Sequence, residues 1–235
     1  VTVARNADLL ADMFVELKAA SSGLSTDTEG NSACWLAERA ISSCELSVGG
    51  QKIDKHYQKW WRLYSELYLD ESKKANWAKM TTGFHDSTVY LPLIFFFNRN
   101  PGLALPLIAL QYHEIRLDFD LSSEFDTYTD GSTFKVWGNY IFLDTEERRR
   151  FSQKAHEYLI EQVQHTGTDT VDAGATKQTR LSLNHPCKEL IWCFGSSSPA
   201  GRGLWNFASN VAATDVILES NPTALADSNC FVPIT

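Results

Sequence analysis

The sequence predicts a mostly β protein in which two related antiparallel units follow one another, and three observations carry that reading. His113, Ile115, Leu117 and Phe119 alternate strictly with Glu114, Arg116, Asp118 and Asp120, and a period of two marks a strand with one buried face. Two apolar runs, residues 89–97 and 103–110, have strand length and flank Asn98-Arg99-Asn100-Pro101-Gly102. There Pro fixes φ and Gly accepts the positive φ that a tight turn needs. Lastly, "VTVARNADLLADMFVEL" at 1–17 and "TRLSLNHPCKELIWCF" at 179–194 share one plan: alternating strand, Asn-led turn, second alternating strand. Such an echo is expected of tandem units.

Taken in order, Val1 and Val3, then Met13, Val15 and Leu17, mark two strands. "SSGLSTDTEGNS" (21–32) has the small polar composition of an exposed loop. Residues 41–48 are strand-like, and Gly49-Gly50 turns the chain into "QKIDKHY". The period then changes: Tyr57, Trp60, Trp61, Tyr64, Leu67 and Tyr68 recur at helical spacing. An aromatic stripe of this kind packs in or beside a core more often than it lines a ligand box, so Trp60 and Trp61 are expected there. After the two apolar runs come a loop at 122–133 and a strand at 136–143. Asp144 or Thr145 caps a short helix over 146–154, because a side-chain oxygen can accept from first-turn amides and Glu146 and Glu147 suit the positive helix end. "HEYLIEQVQ" (156–164) fits either helix or strand. "SSSPAGRG" (196–203) reads as a second exposed loop.

The boundary between units falls near Gln153, giving a first unit at 1–153 and a second at 154–235. The second is shorter and is expected to be incomplete. Because the chain opens inside an alternating stretch without Met, a fragment or processed product is expected.

Composition removes several function classes. The net charge of −8 at pH 7 argues against coating nucleic acid by counterion release. Arg148, Arg149 and Arg150 directly follow Glu146 and Glu147, which suits a solvated or ion-paired helix face. A bilayer-crossing helix needs about 20 consecutive apolar residues, and the break at 98–102 denies that. Cys34, Cys44, Cys187, Cys193 and Cys230 form no C-x-x-C pair, which argues for buried thiols in a reducing compartment rather than zinc or a disulfide framework. Asn221-Pro222-Thr223 carries the Pro that forbids standard glycosylation.

Catalytic patterns are missing. Residues 195–199 read GSSSP rather than a nucleophile elbow, and neither a phosphate-binding loop nor H-E-x-x-H occurs. His56, His85, His113, His156, His165 and His185 are scattered. The neighbours His113-Glu114 and His156-Glu157 would point to opposite faces of a strand, so neither pair converges on a metal. Asp118 and Asp120 make the best enzyme case, as carboxylates on one strand face available for acid/base work. The plainer reading, a polar outer face at a strand end, is favoured because no readable spacing brings a third group to them. No catalytic, cofactor-binding or metal-ligating residue is therefore assigned, and no cofactor is expected.

Six stretches together carry a family resemblance: "RNADLLADMFVELK" (5–18), "GGQKIDKHYQKWW" (49–61), "LPLIFFFNRNPGLALPLIALQYHEIRL" (91–117), "NYIFLDTEERRRF" (139–151), "HEYLIEQVQ" (156–164) and "LNHPCKELIWCF" (183–194). In these the chain closely resembles the major capsid proteins of nucleocytoplasmic large DNA viruses, especially the large icosahedral viruses of algae. The resemblance implies an all-β double jelly roll, two tandem antiparallel sandwiches with short helices in the connections. The first would lack its opening strand, the second would be incomplete, and "HEYLIEQVQ" would open the second as a strand. It also implies a non-enzymatic structural protein of the virion: a homotrimer with pseudo-hexagonal outline that tiles an icosahedral shell beside neighbouring capsomers. Minor capsid proteins and an inner membrane would lie beneath the shell, assembly would take place in the host cytoplasm, and there would be no direct nucleic-acid binding. Two other readings compete, a carbohydrate-binding or glycan-hydrolysing jelly roll using Asp118 and Asp120, and a minor capsid or scaffold relative.

Overall fold

The computed structural model describes residues 1–20, 35–82, 88–123, 125–170 and 176–192. The loops expected at 21–32 and 196–203 lie outside these. The chain divides into two units, Val1–Gln162 and Val163–Thr235. All helices and strands among the described residues belong to the first.

Seven strands of that unit, β1 (Leu9–Ala19), β2 (Ile41–Val48), β3 (Gln51–Tyr57), β4 (Thr88–Pro92), β5 (Leu105–Pro106), β6 (Ile115–Leu121) and β7 (Thr129–Ile141), make two antiparallel sheets. In one, β7 runs along a whole edge of β1 while β4 and β5 follow one another along the other edge. The second has the order β3-β2-β6. Val1 and Val3 extend it along β6, with the Val3 amide donating to Ile115 O at 2.9 Å and the Leu117 amide to Val1 O at 2.8 Å. The opening alternation is thus strand-like, although it makes a single bridge, Thr2 to Arg116.

The alternating residues of both sheets meet in one buried cluster: Leu10, Met13, Val15 and Leu17 from β1, Cys44 and Leu46 from β2, Val89 and Leu91 from β4, and Ile115 and Leu117 from β6. Two sheets closing over a shared core form a sandwich. Strict alternation along β1 would put Leu10 and Met13 on opposite faces. A register shift against β7 between these two positions resets the phase, as a bulge does. Leu9 and Ala11 instead join Ala104, Ile141, Leu143 and Phe151 in a small second cluster.

Among the described residues five α-helices lie in the connections, α1 (Leu36–Ala40), α2 (Gln58–Tyr68), α3 (Glu71–Thr81), α4 (Phe125–Tyr128) and α5 (Thr145–Gln153), with a 3-10 turn at Pro101–Leu103. The aromatic stripe from Trp60 to Tyr68 lies on α2 as expected, whereas Tyr57, counted with it from the spacing, ends β3. Trp61 is fully buried, and Trp60 and Tyr64 pack against the core from its margin. Leu67 and Tyr68, at the far end of the stripe, remain exposed. Asp144 caps α5, its side chain accepting from the Glu147 amide at 2.9 Å.

Several expectations need correction. Residues 89–97 begin as β4 but leave the sheet after Pro92 as a buried connection. Asn98 holds that connection, donating to Ala11 O at 2.7 Å and accepting from the Phe95 amide at 3.1 Å. Residues 103–110 are mostly turn rather than strand, since Pro106 brings no N–H to a ladder and its carbonyl accepts from the Ala109 and Leu110 amides. His113 precedes β6 and is exposed, so the alternation starts at Ile115. The loop expected at 122–133 contains α4 and the first residues of β7. "HEYLIEQVQ" is neither helix nor strand. The helix stops at Lys154, whose amide donates to Arg150 O as its backbone turns extended, and no strand among the described residues offers the residues that follow a ladder.

Candidate functional site

The acidic pair stands on the outer face of the β3-β2-β6 sheet. Register places Ser43 opposite Asp120 and Glu45 opposite Asp118. Asp120 accepts from Ser43 Oγ at 2.5 Å and from Lys55 Nζ at 3.3 Å, and those two contacts, Ser43 first, hold its carboxyl below the usual carboxylate range. Asp118 pairs instead with Arg116 at 3.0 Å, and Lys52 with Glu45 at 2.9 Å. This face is thus covered by ion pairs, two across strands and one within β6. A general acid at neutral pH needs its pKa raised, and Asp120 moves the other way. The basic run on α5 is likewise paired, Arg148 with Asp8 at 2.7 Å and Arg149 with Glu146 at 3.9 Å.

The outer face of the β1 sheet has a different chemistry. Phe14 lies opposite Pro92 on one side and Trp137 on the other, with Tyr90 edge-on to Phe14 at 5.8 Å. Trp137 is 48% exposed, and its indole N–H donates to Glu16 Oε2 at 2.6 Å. Lys135 donates to the other oxygen of Glu16 at 3.1 Å, and the two donors lower the Glu16 pKa, Lys135 first. Sequence reasoning missed this row. Its signal was present in "DMFVELK", where Phe14 and Glu16 occupy the positions between Met13, Val15 and Leu17.

Charges also lie inside the unit. Glu38 is fully buried, which pushes its pKa up, while Trp77 Nε1 donates to Oε1 at 2.6 Å and Arg62 Nη1 stands 3.7 Å away. Burial in turn lowers the Arg62 pKa. Its guanidinium also pairs with Glu66 and lies 4.5 Å from the Trp35 ring centroid. In the sandwich core, His56 Nε2 sits 2.8 Å from Asp54 Oδ2, and the His56 ring stacks on Phe95 at 4.4 Å. Glu38, Arg62 and Trp77 thus tie α1, α2 and α3 together, and His56 joins β3 to the buried 93–97 connection.

Of the scattered histidines, His85 lies outside the described residues, as do Cys34, Cys193 and Cys230. Among the described residues, no three His, Cys, Asp or Glu side chains gather where they could hold a metal ion, and no helix is long and apolar enough to cross a membrane. Cys44 is a buried free thiol, whereas Cys187 is free and exposed, so the expectation of buried thiols holds at one position and fails at the other.

Residues 1–144 match the family described as "Major capsid protein N-terminus" and residues 147–225 the family "Large eukaryotic DNA virus major capsid protein". The major capsid protein of Paramecium bursaria Chlorella virus 1 is 44% identical over 81% of this chain and 47% of its own length. That of Pyramimonas orientalis virus is 39% identical over 81% of this chain and 50% of its own. The chain thus spans about half the length of the curated relatives it matches. Among solved structures, PBCV-1 VP54 superposes with a TM-score of 0.58 at 43% identity, over 68% of this chain and 42% of that one, and a quasi-atomic model of the PBCV-1 capsid matches equally. The class defined by these matches is that of β-sheet structural proteins of virus shells, with the double jelly roll as its fold, of which this chain covers part. The chain belongs to the major capsid protein family of large eukaryotic DNA viruses.

Proposed function

We propose that this chain is part of a capsid shell subunit that assembles as a homotrimer of pseudo-hexagonal outline and tiles an icosahedral shell beside neighbouring capsomers. The observation that carries this is the 44% identity to a major capsid protein over most of the chain, joined to a rigid sandwich whose outer faces differ, one ion-paired and one aromatic. In such a subunit function is geometry, with the core fixing the position of faces that meet other subunits. The protein performs no catalysis in this reading, and the Asp120 carboxylate, occupied by Ser43 and Lys55, supports that. Minor capsid proteins and an inner membrane lie beneath the shell, nucleic acid is not bound directly, and assembly takes place in the host cytoplasm.

The proposed domains remain a first jelly roll at 1–153 and the beginning of a second at 154–235. In this reading one further strand would complete the first. Among the described residues β7 pairs along one edge only, and an open edge of 13 residues is where a further strand would close the sheet. Native mass spectrometry of the parent protein from its source tests the whole reading. A trimer of subunits roughly twice this chain's mass, as relatives of about double length imply, is the expected result, and a monomer of this chain's own mass would overturn it.

A further inference from the structure

Helices α1, α2 and α3 meet around one carboxyl group. Glu38 of α1 is fully buried, and its Oε1 accepts from Trp77 Nε1 of α3 at 2.6 Å while standing 3.7 Å from Arg62 Nη1 of α2. Arg62 also pairs with Glu66 one helical turn on, and Lys74 Nζ of α3 meets that same Glu66 at 3.2 Å. The guanidinium is thereby matched before Glu38 is counted, and Glu38 Oε2 has no hydrogen-bond partner among the described residues. Other charges on the neighbouring elements are placed elsewhere. Arg39 lies about 100° round α1 from Glu38, Tyr90 of β4 stands edge-on to Phe14 on the outer face of its sheet, Asp126 of α4 is exposed, and Glu45 of β2 pairs with Lys52.

Strain is stored at the same place. Trp35, which precedes α1, has φ 47° and ψ 39°, a left-handed conformation that is costly for a bulky side chain. Its amide donates to Thr82 Oγ1 at 3.4 Å, and the Arg62 guanidinium lies 4.5 Å from its ring centroid. A buried carboxylate with one hydrogen bond and a shared guanidinium is poorly compensated, whereas the neutral acid loses far less on leaving water. We propose that Glu38 is a proton-operated catch: α1, α2 and α3 stay closed around it as the neutral acid, and loss of its proton opens that helical layer. Burial pushes the Glu38 pKa up against the opposing pull of Arg62 and Trp77. The closed layer therefore keeps a proton that an exposed Glu gives up at about pH 4.3. The opening equilibrium rises with pH above that point, approaching about tenfold per unit, until Glu38 ionises in the closed layer as well. This inference does not depend on the assembly proposed above.

Hydrogen exchange read by mass spectrometry on the full 235-residue chain, corrected for the intrinsic pH dependence of amide exchange, tests it. Opening of α2 and α3 in the wild type should increase at least about tenfold between about pH 5 and 7. Glu38→Gln, which fixes the neutral form, should lose that rise and at neutral pH should open less than wild type. The infrared band of a protonated carboxyl should be present at neutral pH in the wild type and missing from the variant. A flat wild-type profile would overturn the proposal, as would a Glu38→Gln variant that opens more than wild type at neutral pH, the behaviour of an ionised Glu38 held by Arg62. If the variant is not recovered folded, the wild-type profile and infrared band decide.

Discussion

Asp8 and Arg148, 140 positions apart, meet where β1 begins and α5 starts, Arg148 Nε donating to Asp8 Oδ1 at 2.7 Å. The other carboxylate oxygen accepts from the Leu143 amide at 2.9 Å. Asp8 is only 2% exposed, so this carboxylate closes the sandwich from within. Replacing it by Ala strands the Leu143 amide and should cost about 1.5 to 3 kcal/mol, the range for a buried charged hydrogen bond, read from denaturant unfolding. Asp8→Asn, which keeps an acceptor, should recover much of the loss; equal loss in both variants would assign the effect to charge alone.

The same group sets a pH dependence. The Leu143 amide first, then Arg148, hold the Asp8 pKa below its usual value. A depressed carboxylate stabilises the fold in full above its unfolded pKa, near 3.9, and that contribution is lost as pH falls through the lower folded value. The stability gap between wild type and Asp8→Ala should therefore be flat from pH 7 to about 5 and narrow below about 4. A gap that widens on acidification would reverse the sign and refute the assignment.

Trp61 and Trp137 separate core from surface. Truncating fully buried Trp61 to Ala should cost about 3 to 5 kcal/mol. Trp137→Ala, at a half-exposed site, should stay within about 1 kcal/mol. Thermal unfolding of the two variants side by side is sufficient, and an unchanged Trp61→Ala midpoint would remove that residue from the core.

Gly49 has φ +60°, and a Cβ there would lie 2.5 Å from His113 Nδ1. Gly49→Ala thus meets backbone strain and a clash together, and should cost about 1 kcal/mol or more. Removing the ring with His113→Ala should relieve only the clash. A double-mutant cycle measures the coupling, and full additivity would show that His113 does not press on this turn.

Asp118→Asn with Asp120→Asn distinguishes a shell protein from a sugar-active one. With the ion pairs exposed, stability should change by no more than about 1 kcal/mol, and glycan binding or hydrolysis should be absent before and after. Loss of a measurable glycan activity with the fold intact would revive the carbohydrate reading.

Legibility in the sequence depended on how local the determining physics was. The period-two pattern at 115–119, the Gly49-Gly50 turn, the aromatic periodicity of α2 and the Asp144 cap all act within a few residues, and each stands where the sequence placed it. The acidic pair was correctly put on a strand face, but its partners Ser43 and Lys55 are 77 and 65 positions away. Only sheet register brings them together, and that register makes the face a lattice of ion pairs rather than an acid/base site. The same holds for the row of Phe14, Tyr90 and Trp137, three residues from three strands.

By itself the sequence determined the class: a β protein, acidic overall and without catalytic motifs, whose long matching stretches identify its family. Tertiary structure decided which apolar runs became strands. Residues 89–97 and 103–110 are equally apolar, yet only the part with a partner in β1 joined the sheet at length, because a strand is completed by hydrogen bonds that another segment must supply. The same rule left 156–162 outside any ladder among the described residues, and the bulge in β1 shows the converse, a partner's register resetting which side chains face the core. Periodicity belongs to the chain, whereas pairing belongs to the fold.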